Sequence, residues 1–555
     1  MWGNMKTKKM TALAVGIGAA SVLLLTACEE KKETPAQRFS MEEVTAPSPF
    51  HGIHGITVEK DGTMLAGSVI GRSIYEVDPE TGATAVYEGP PKGMADDLEQ
   101  GPDGTLAWTA FIDGKVHARK PDGTVTTIAE GLHGINSIAW TDDGRLFATQ
   151  VFLGDALYEL DPTGQKSPRK IMEGMGGLNG FDFGPDGKLY GPLWDKGEIA
   201  RVDVDKATLD VVADGFGIPA AVNFSPDGKL FAVDTQRGEV VRVDPADGSK
   251  EVVAKVKPAI DNLAFDNGGN LFITNMADNA VIAVDIRNGK SRTVVSGPLA
   301  VAGGIARANE SGEDVLYIAD GFAFRKLHLA SGRMEEIARM WSGDIDYPLN
   351  VAVANGHVTV AGLTSGAVQV FDQEAGKSIA LMHGFITPSA AIAMTDGRIV
   401  VAEYAKGRLL MVDPEHSDAR TEIVTGLEGP EYMMATGDGS IYVSETEGGV
   451  ISRIDPESGE RTVLVADLDA PEGFDIAPDG KLIIAEVGAK RIIAVDPESG
   501  TREVLRADLP IGLKGPAELP SSYVPTGISV GPDGDIYFSS DIEARIFRLR
   551  ETGAN

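Results

Sequence analysis

His54, Asp96, Asn136, Asn179 and Asp261 share one recurring place in the chain, seven residues before an Asp-Gly turn or its equivalent at Gly268, and only Ala220 breaks the series. Side chains at a repeated position converge when the repeats are arranged about an axis, and a convergent set of oxygens suits a hard cation such as Ca²⁺. In the second half the same place holds Gly303, Leu349 or Asn350, Ser389, Glu431, Glu472 and Thr526. Glu431 and Glu472 lie in consecutive repeats, so they are expected to face each other and either share a proton or hold a cation. Half of the eight histidines (His51, His54, His133 and His383) sit in His-Gly pairs close to these positions. Asp97 and Glu99 stand out because they interrupt a stretch that should be apolar.

The elements that position these residues follow from the repeat. Its clearest copy, Pro471 to Gly500, has an apolar run, a Pro-Asp-Gly turn, a second run ending at Glu486, a third ending at Asp496, and a Gly. Twelve copies occur, each about 42 residues long, the size of a propeller blade. The runs are short, rich in Val, Ile, Phe and Tyr, and separated by Gly, Pro, Asp and Asn, which reads as strands joined by tight turns. The fold class is therefore all-β, with twelve four-stranded blades (strands a to d). Radial stacking covers the raw edges of each meander, and since rings usually have four to eight blades, the reading is two six-bladed β-propellers in tandem. The Asp-Gly turns then lie on the bottom face, and the b-to-c loops and d-to-a linkers on the top face. Asp320, Glu403, Glu445 and Glu486, at the ends of strands b, are expected to cap backbone N–H groups of the next loop.

The last copy stops after strand c, whereas Arg38 to Val44 precedes the first copy and aligns with strands d. This suggests that Phe39 to Val44 closes blade 6 and that Ser291 to Val295 crosses over to close blade 12. The propellers then span 38–289 and 290–550. The longest linker, Ala507 to Pro525, lies over the mouth of the second ring.

Before the repeats, a basic segment with Lys6, Lys8 and Lys9 leads into an apolar run, Ala12 to Leu25, and ends at Leu25-Thr26-Ala27-Cys28. That pattern resembles the lipobox of bacterial lipoproteins and implies a signal peptide over 1–27, cleavage before Cys28 and lipidation of that cysteine, the only one in the chain. Residues 28–37 read as a flexible tether. Glu29 beside the cysteine points to an exported protein on the outer membrane, on its periplasmic or surface side, if the cell has one. A net charge of −32 argues against nucleic acid as a partner. Zincin, serine-hydrolase, dinucleotide and paired-cysteine motifs are absent from the sequence.

Ser225-Pro-Asp-Gly228 with Leu230 to Asp234, and Leu178-Asn179-Gly180 before Gly184-Pro-Asp-Gly187, resemble the SMP-30/gluconolactonase propellers and, more loosely, NHL-repeat, TolB-type and virginiamycin-lyase propellers. The resemblance implies one divalent metal on the axis, Ca²⁺ first and Mg²⁺, Mn²⁺ or Zn²⁺ as alternatives, with a carboxylate-assisted water opening a lactone or ester. Asn179 matches the Asn-Gly element of that family; Asn179 and Asp261 are then expected as ligands, with Glu431 and Glu472 as the candidates of the second ring. Asp96 or Asp97 is expected as the base, and His54, His133 and Asn136 as substrate-binding groups. His54-Gly55 stands where the family has a Glu, and Ala220 where it has an Asp. The alternatives are a non-enzymatic scaffold that binds a ligand or partner protein, and a lyase.

Overall fold

The computed structural model describes residues 38–515 and 524–552. The leader, the tether, Cys28 and residues 516–523 of the long linker lie outside the described residues. Twelve antiparallel four-stranded sheets account for the regular structure, and among the described residues the only helical segments are two single 3₁₀ turns. Blade 1 is typical: strands Ile53–Val58, Met64–Ser68, Ser73–Val77 and Thr84–Glu88 follow one another as a meander. Its b strand is buried throughout, while strand d, Thr84–Glu88, is half exposed. That gradient from axis to rim follows from stacking blades radially.

The inner strand of blade 1 packs beside that of blade 6, Ile260–Phe265, and the inner strand of blade 7, Ile305–Glu310, packs beside that of blade 12, Ile528–Val530. Two separate six-bladed rings result. Their closure differs from the sequence expectation. Strand Lys290–Ser296 stays in blade 6, where Val295 pairs with Val281. The short turn at Gly289, with φ +71° and its N–H 2.9 Å from the Asp285 carbonyl, folds it straight back on its neighbour. The spare N-terminal strand, Phe39–Glu43, pairs with Arg545–Glu551 and supplies the missing outer strand of blade 12. A boundary at 289/290 therefore gives way to one in which residues 39–43 belong to the second ring and 290–296 to the first. The first ring is an insertion between the outer strand of blade 12 and the rest of the second ring.

Ring one closes without a shared sheet. Asn279 instead stitches its first and last blades: its side-chain amide accepts from Ile53 N (3.2 Å) and donates to the carbonyls of Phe50 (2.8 Å) and Leu299 (3.1 Å). The rings meet through their top faces. One apolar cluster joins Ala259, Met276 and Ala277 of ring one with Val301, Phe322, Met340 and Ile345 of ring two. Arg325 reaches from blade 7 to the Ala277 carbonyl, and Arg339 to Asp278 and to the Pro258 carbonyl (3.0 Å).

Candidate functional site in the mouth of the first ring

Three charged side chains converge where the inner strands of blades 1, 2 and 6 begin. His54 Nδ1 lies 3.0 Å from Asp261 Oδ2 and 3.4 Å from Asp96 Oδ1. Asn136 hydrogen-bonds Asp96. Ser137 Oγ donates to Asn136 Oδ1 (2.8 Å) and Asn179 Oδ1 (3.1 Å). The mouth thus joins five of the residues named from the repeat, plus Ser137, which its place one residue past Asn136 had concealed. Burial pulls the His54 imidazole down, but the hydrogen bond to Asp261 and the two carboxylate charges outweigh it and leave its pKa raised. Asp96 is pushed far above the ordinary carboxylate range, first by burial and also by Asp261, against the pull of His54. His54 keeps 16% of its side chain exposed and Asp261 13%, so the cluster is largely buried and only its edge reaches solvent.

Asp97 and Glu99 do other work. Asp97 accepts from Leu98 N (2.9 Å) and, on the next blade, from Ile138 N (3.0 Å); Glu99 accepts from Trp140 N (2.9 Å). Asp182 repeats the device from blade 4 to Phe224 N at 2.8 Å. These carboxylates tie neighbouring inner strands and line an axial cavity of about 40 Å³ below the mouth. Burial raises Asp97 to about 8 against the two N–H groups that favour its ionised form. With both oxygens taken by backbone amides, Asp97 is a clamp between blades, and the expected base narrows to Asp96. His133 is also set aside: it is exposed, with its ring beside Gly114 on the loop of blade 2, apart from His54.

A wall of rings flanks the mouth, half of it from the second propeller. Phe111, Phe152 and Trp194, on successive b-to-c loops of ring one, form a chain with centroid spacings of 6.2 and 5.3 Å. Trp341 of ring two continues it at 6.2 Å from Trp194, and Phe322 and Tyr347 each lie 6.2 Å from Trp341. Phe322 then stands edge-on to His54 at 5.6 Å. Sequence reasoning missed all six: Phe111 and Trp194 directly follow their b strands and Phe152 comes one residue later, while the ring-two members owe their place to the contact between rings, which has no local signature.

The mouth of ring two is different. Tyr432 donates across the axis to the Ile305 carbonyl (2.5 Å), and Asn350 Nδ2 bridges the carbonyls of Ser389 (3.0 Å) and Glu431 (3.1 Å). Glu431 and Glu472 are each 2% exposed, and Glu472 accepts from Thr526 N at 2.6 Å. At the ends of the b strands, Asp320 accepts from Ala300 and Val301, Glu403 from Ile386, Glu445 from Glu428 and Glu486 from Asp469. These caps hold the linker entering their own blade.

A divalent metal does not fit the first mouth as its residues stand. His54 places a ring nitrogen between the two carboxylates where the metal's family ligand would be an oxygen. Among the described residues no three His, Cys, Asp or Glu side chains form a metal-binding group.

Two closed six-bladed rings, with a charged, aromatic-flanked mouth where their top faces meet, define a tandem β-propeller. A family model described as SMP-30/Gluconolactonase/LRE-like region matches residues 192–319. That stretch contains Asp261 and runs across the junction of the rings. A second model, Outer membrane protein assembly factor BamB, matches residues 312–503 in the second ring. Two solved structures of the extracellular domain of BT4673 from B. thetaiotaomicron, one described as a one component system and one as a hybrid two component system, each align with a TM-score of 0.31 at 11% identity. They cover 92% and 90% of this chain and 83% and 75% of their own. No curated protein matches the chain.

Proposed function

We propose that the mouth of the first ring is the active site of a hydrolase that opens a small lactone or ester. The observation that carries this is the His54–Asp96–Asp261 cluster, with a carboxyl raised by burial next to an imidazole whose positive charge is favoured. Such a pair divides the work of general acid–base catalysis. Asp96 takes a proton from water as the hydroxide adds to the carbonyl carbon. The negative charge that develops on the carbonyl oxygen is met by the His54 imidazolium, held in place by Asp261. The C–O bond then breaks, and Asp96 returns the proton to the departing alkoxide. In this reading the imidazolium takes the polarising role that a divalent cation has in the family resembled. The leader ending at Cys28 would export the chain and tie it by lipid to a membrane, with the site facing the periplasm or the cell surface.

The test is turnover of a panel of lactones and aryl esters by the purified protein. Asp96→Asn is expected to lower kcat about 10²- to 10⁴-fold, with KM little changed. Absence of turnover across the panel, or an Asp96→Asn variant as active as the parent, would sink the proposal. A second reading, a binding module without turnover, is favoured by the apolar lip of the mouth, where Phe152 is 54% and Leu153 64% exposed. It predicts ligand-dependent stabilisation without product. A lyase acting through the same Asp96 base would instead give an unsaturated product.

A further inference from the structure

The second ring carries a pair of buried carboxylates that the proposed hydrolase does not use. Glu431 and Glu472 start the inner strands of blades 10 and 11, and Thr526 precedes that of blade 12. Blades 11 and 12 approach closely there: Gly473 N donates to the Thr526 carbonyl at 3.0 Å, and a Cβ on Gly473 would sit 2.4 Å from that oxygen. Glu431 Oε2 and Thr526 Oγ1 are both buried and have no hydrogen-bond partner among the described residues. The residues themselves are 2% and 0% exposed. The charges acting on Glu431 are those of Glu472 and Glu447, both carboxylates, with no Lys or Arg among them.

A buried carboxylate is stable when it is paired, hydrogen-bonded or bound to a metal. A proton shared between the two carboxyls would satisfy the O–H but leave one buried charge without a positive partner. A cation does resolve it, since it takes oxygen donors only and balances two like charges at once. We propose that the mouth of the second ring binds one hard divalent cation, Ca²⁺ or Mg²⁺, through Glu431, Glu472 and the Thr526 hydroxyl. The rest of the shell would come from backbone carbonyls and water, because the described residues supply no third His, Cys, Asp or Glu there. Tyr432 and Asn350 seal the axis beside this position, so the cation would brace blades 10 to 12 and take no part in chemistry at the first mouth.

The experiment uses the whole protein purified without chelator. Elemental analysis is expected to return about one Ca²⁺ or Mg²⁺ per chain. After EDTA treatment, calorimetric titration with CaCl₂ and MgCl₂ should recover one site, and the melting temperature should rise as the site fills. Glu431→Gln with Glu472→Gln should weaken binding by more than tenfold, and Thr526→Val by a smaller factor. Asp96→Asn with Asp261→Asn should leave it unchanged, which separates this site from the first mouth. No bound metal and no heat of titration would overturn the proposal, whether or not the variants fold. Binding lost on Asp96→Asn with Asp261→Asn would overturn it as well.

Discussion

His51 shows how much a single buried group can set the pH response. Neither ring nitrogen has a hydrogen-bond partner, and burial lowers its pKa to about 4 from an ordinary 6.5. Because the unfolded chain binds the proton more readily, the stability His51 contributes is complete above pH 6.5 and is lost as pH falls from there toward 4. The full effect is on the order of 3 kcal/mol. Asp97 acts in the opposite sense: with its pKa raised to about 8, it favours the fold most at low pH, and that contribution declines as pH rises toward 8. Comparing His51→Leu with the parent isolates the histidine. Denaturation midpoints from pH 7 to pH 4.5 should fall less steeply in the variant, and parallel slopes would rule out a titrating His51. The clamps made by Asp97, Glu99 and Asp182 belong to this scale too. Each gives a buried backbone N–H of the next blade a partner, whose loss costs about 1–3 kcal/mol.

At the level of strands, the blade pattern was legible because a period of about 42 residues with fixed Asp-Gly turns leaves little freedom. The turns fell where expected, and so did five of the mouth residues, since a position repeated in sequence becomes a position repeated around the axis. The end-pairing was not legible in the same way. One surplus strand d and one deficit can be read from the chain, but residues 38–44 align equally well with any strand d, and only tertiary packing selects a partner. Phe39 records that choice: it is 7% exposed and packs in one cluster with Phe538, Phe547 and Leu549 of blade 12. Phe39→Ala should cost about 3–5 kcal/mol, read as a lower denaturation midpoint. An effect under 1 kcal/mol would mean that the N-terminal strand adds little to ring two.

Across the whole molecule, the two rings share their top faces, so the candidate site is walled by residues of both. Asp320 and Arg325 brace that junction. Asp320 holds the Ala300 and Val301 amides of the connecting segment at 2.8 and 2.7 Å, while Arg325 pairs with Asp320 at 2.6 Å and reaches the Ala277 carbonyl of ring one. Arg325→Ala would leave Asp320 buried without its counter-charge, at a cost of about 3–5 kcal/mol. Scanning calorimetry is expected to show one transition for the parent and two for the variant, whereas a single peak in both would mean that the rings are coupled by other contacts. The outer strand of blade 12 carries a further consequence, for the order of assembly. Phe39–Glu43 is made before every other described strand, and its partner Arg545–Glu551 after them. Ring one can close as soon as its sixth blade has been made, while Phe39–Glu43 must wait, unpaired, until the other described strands of both rings have followed.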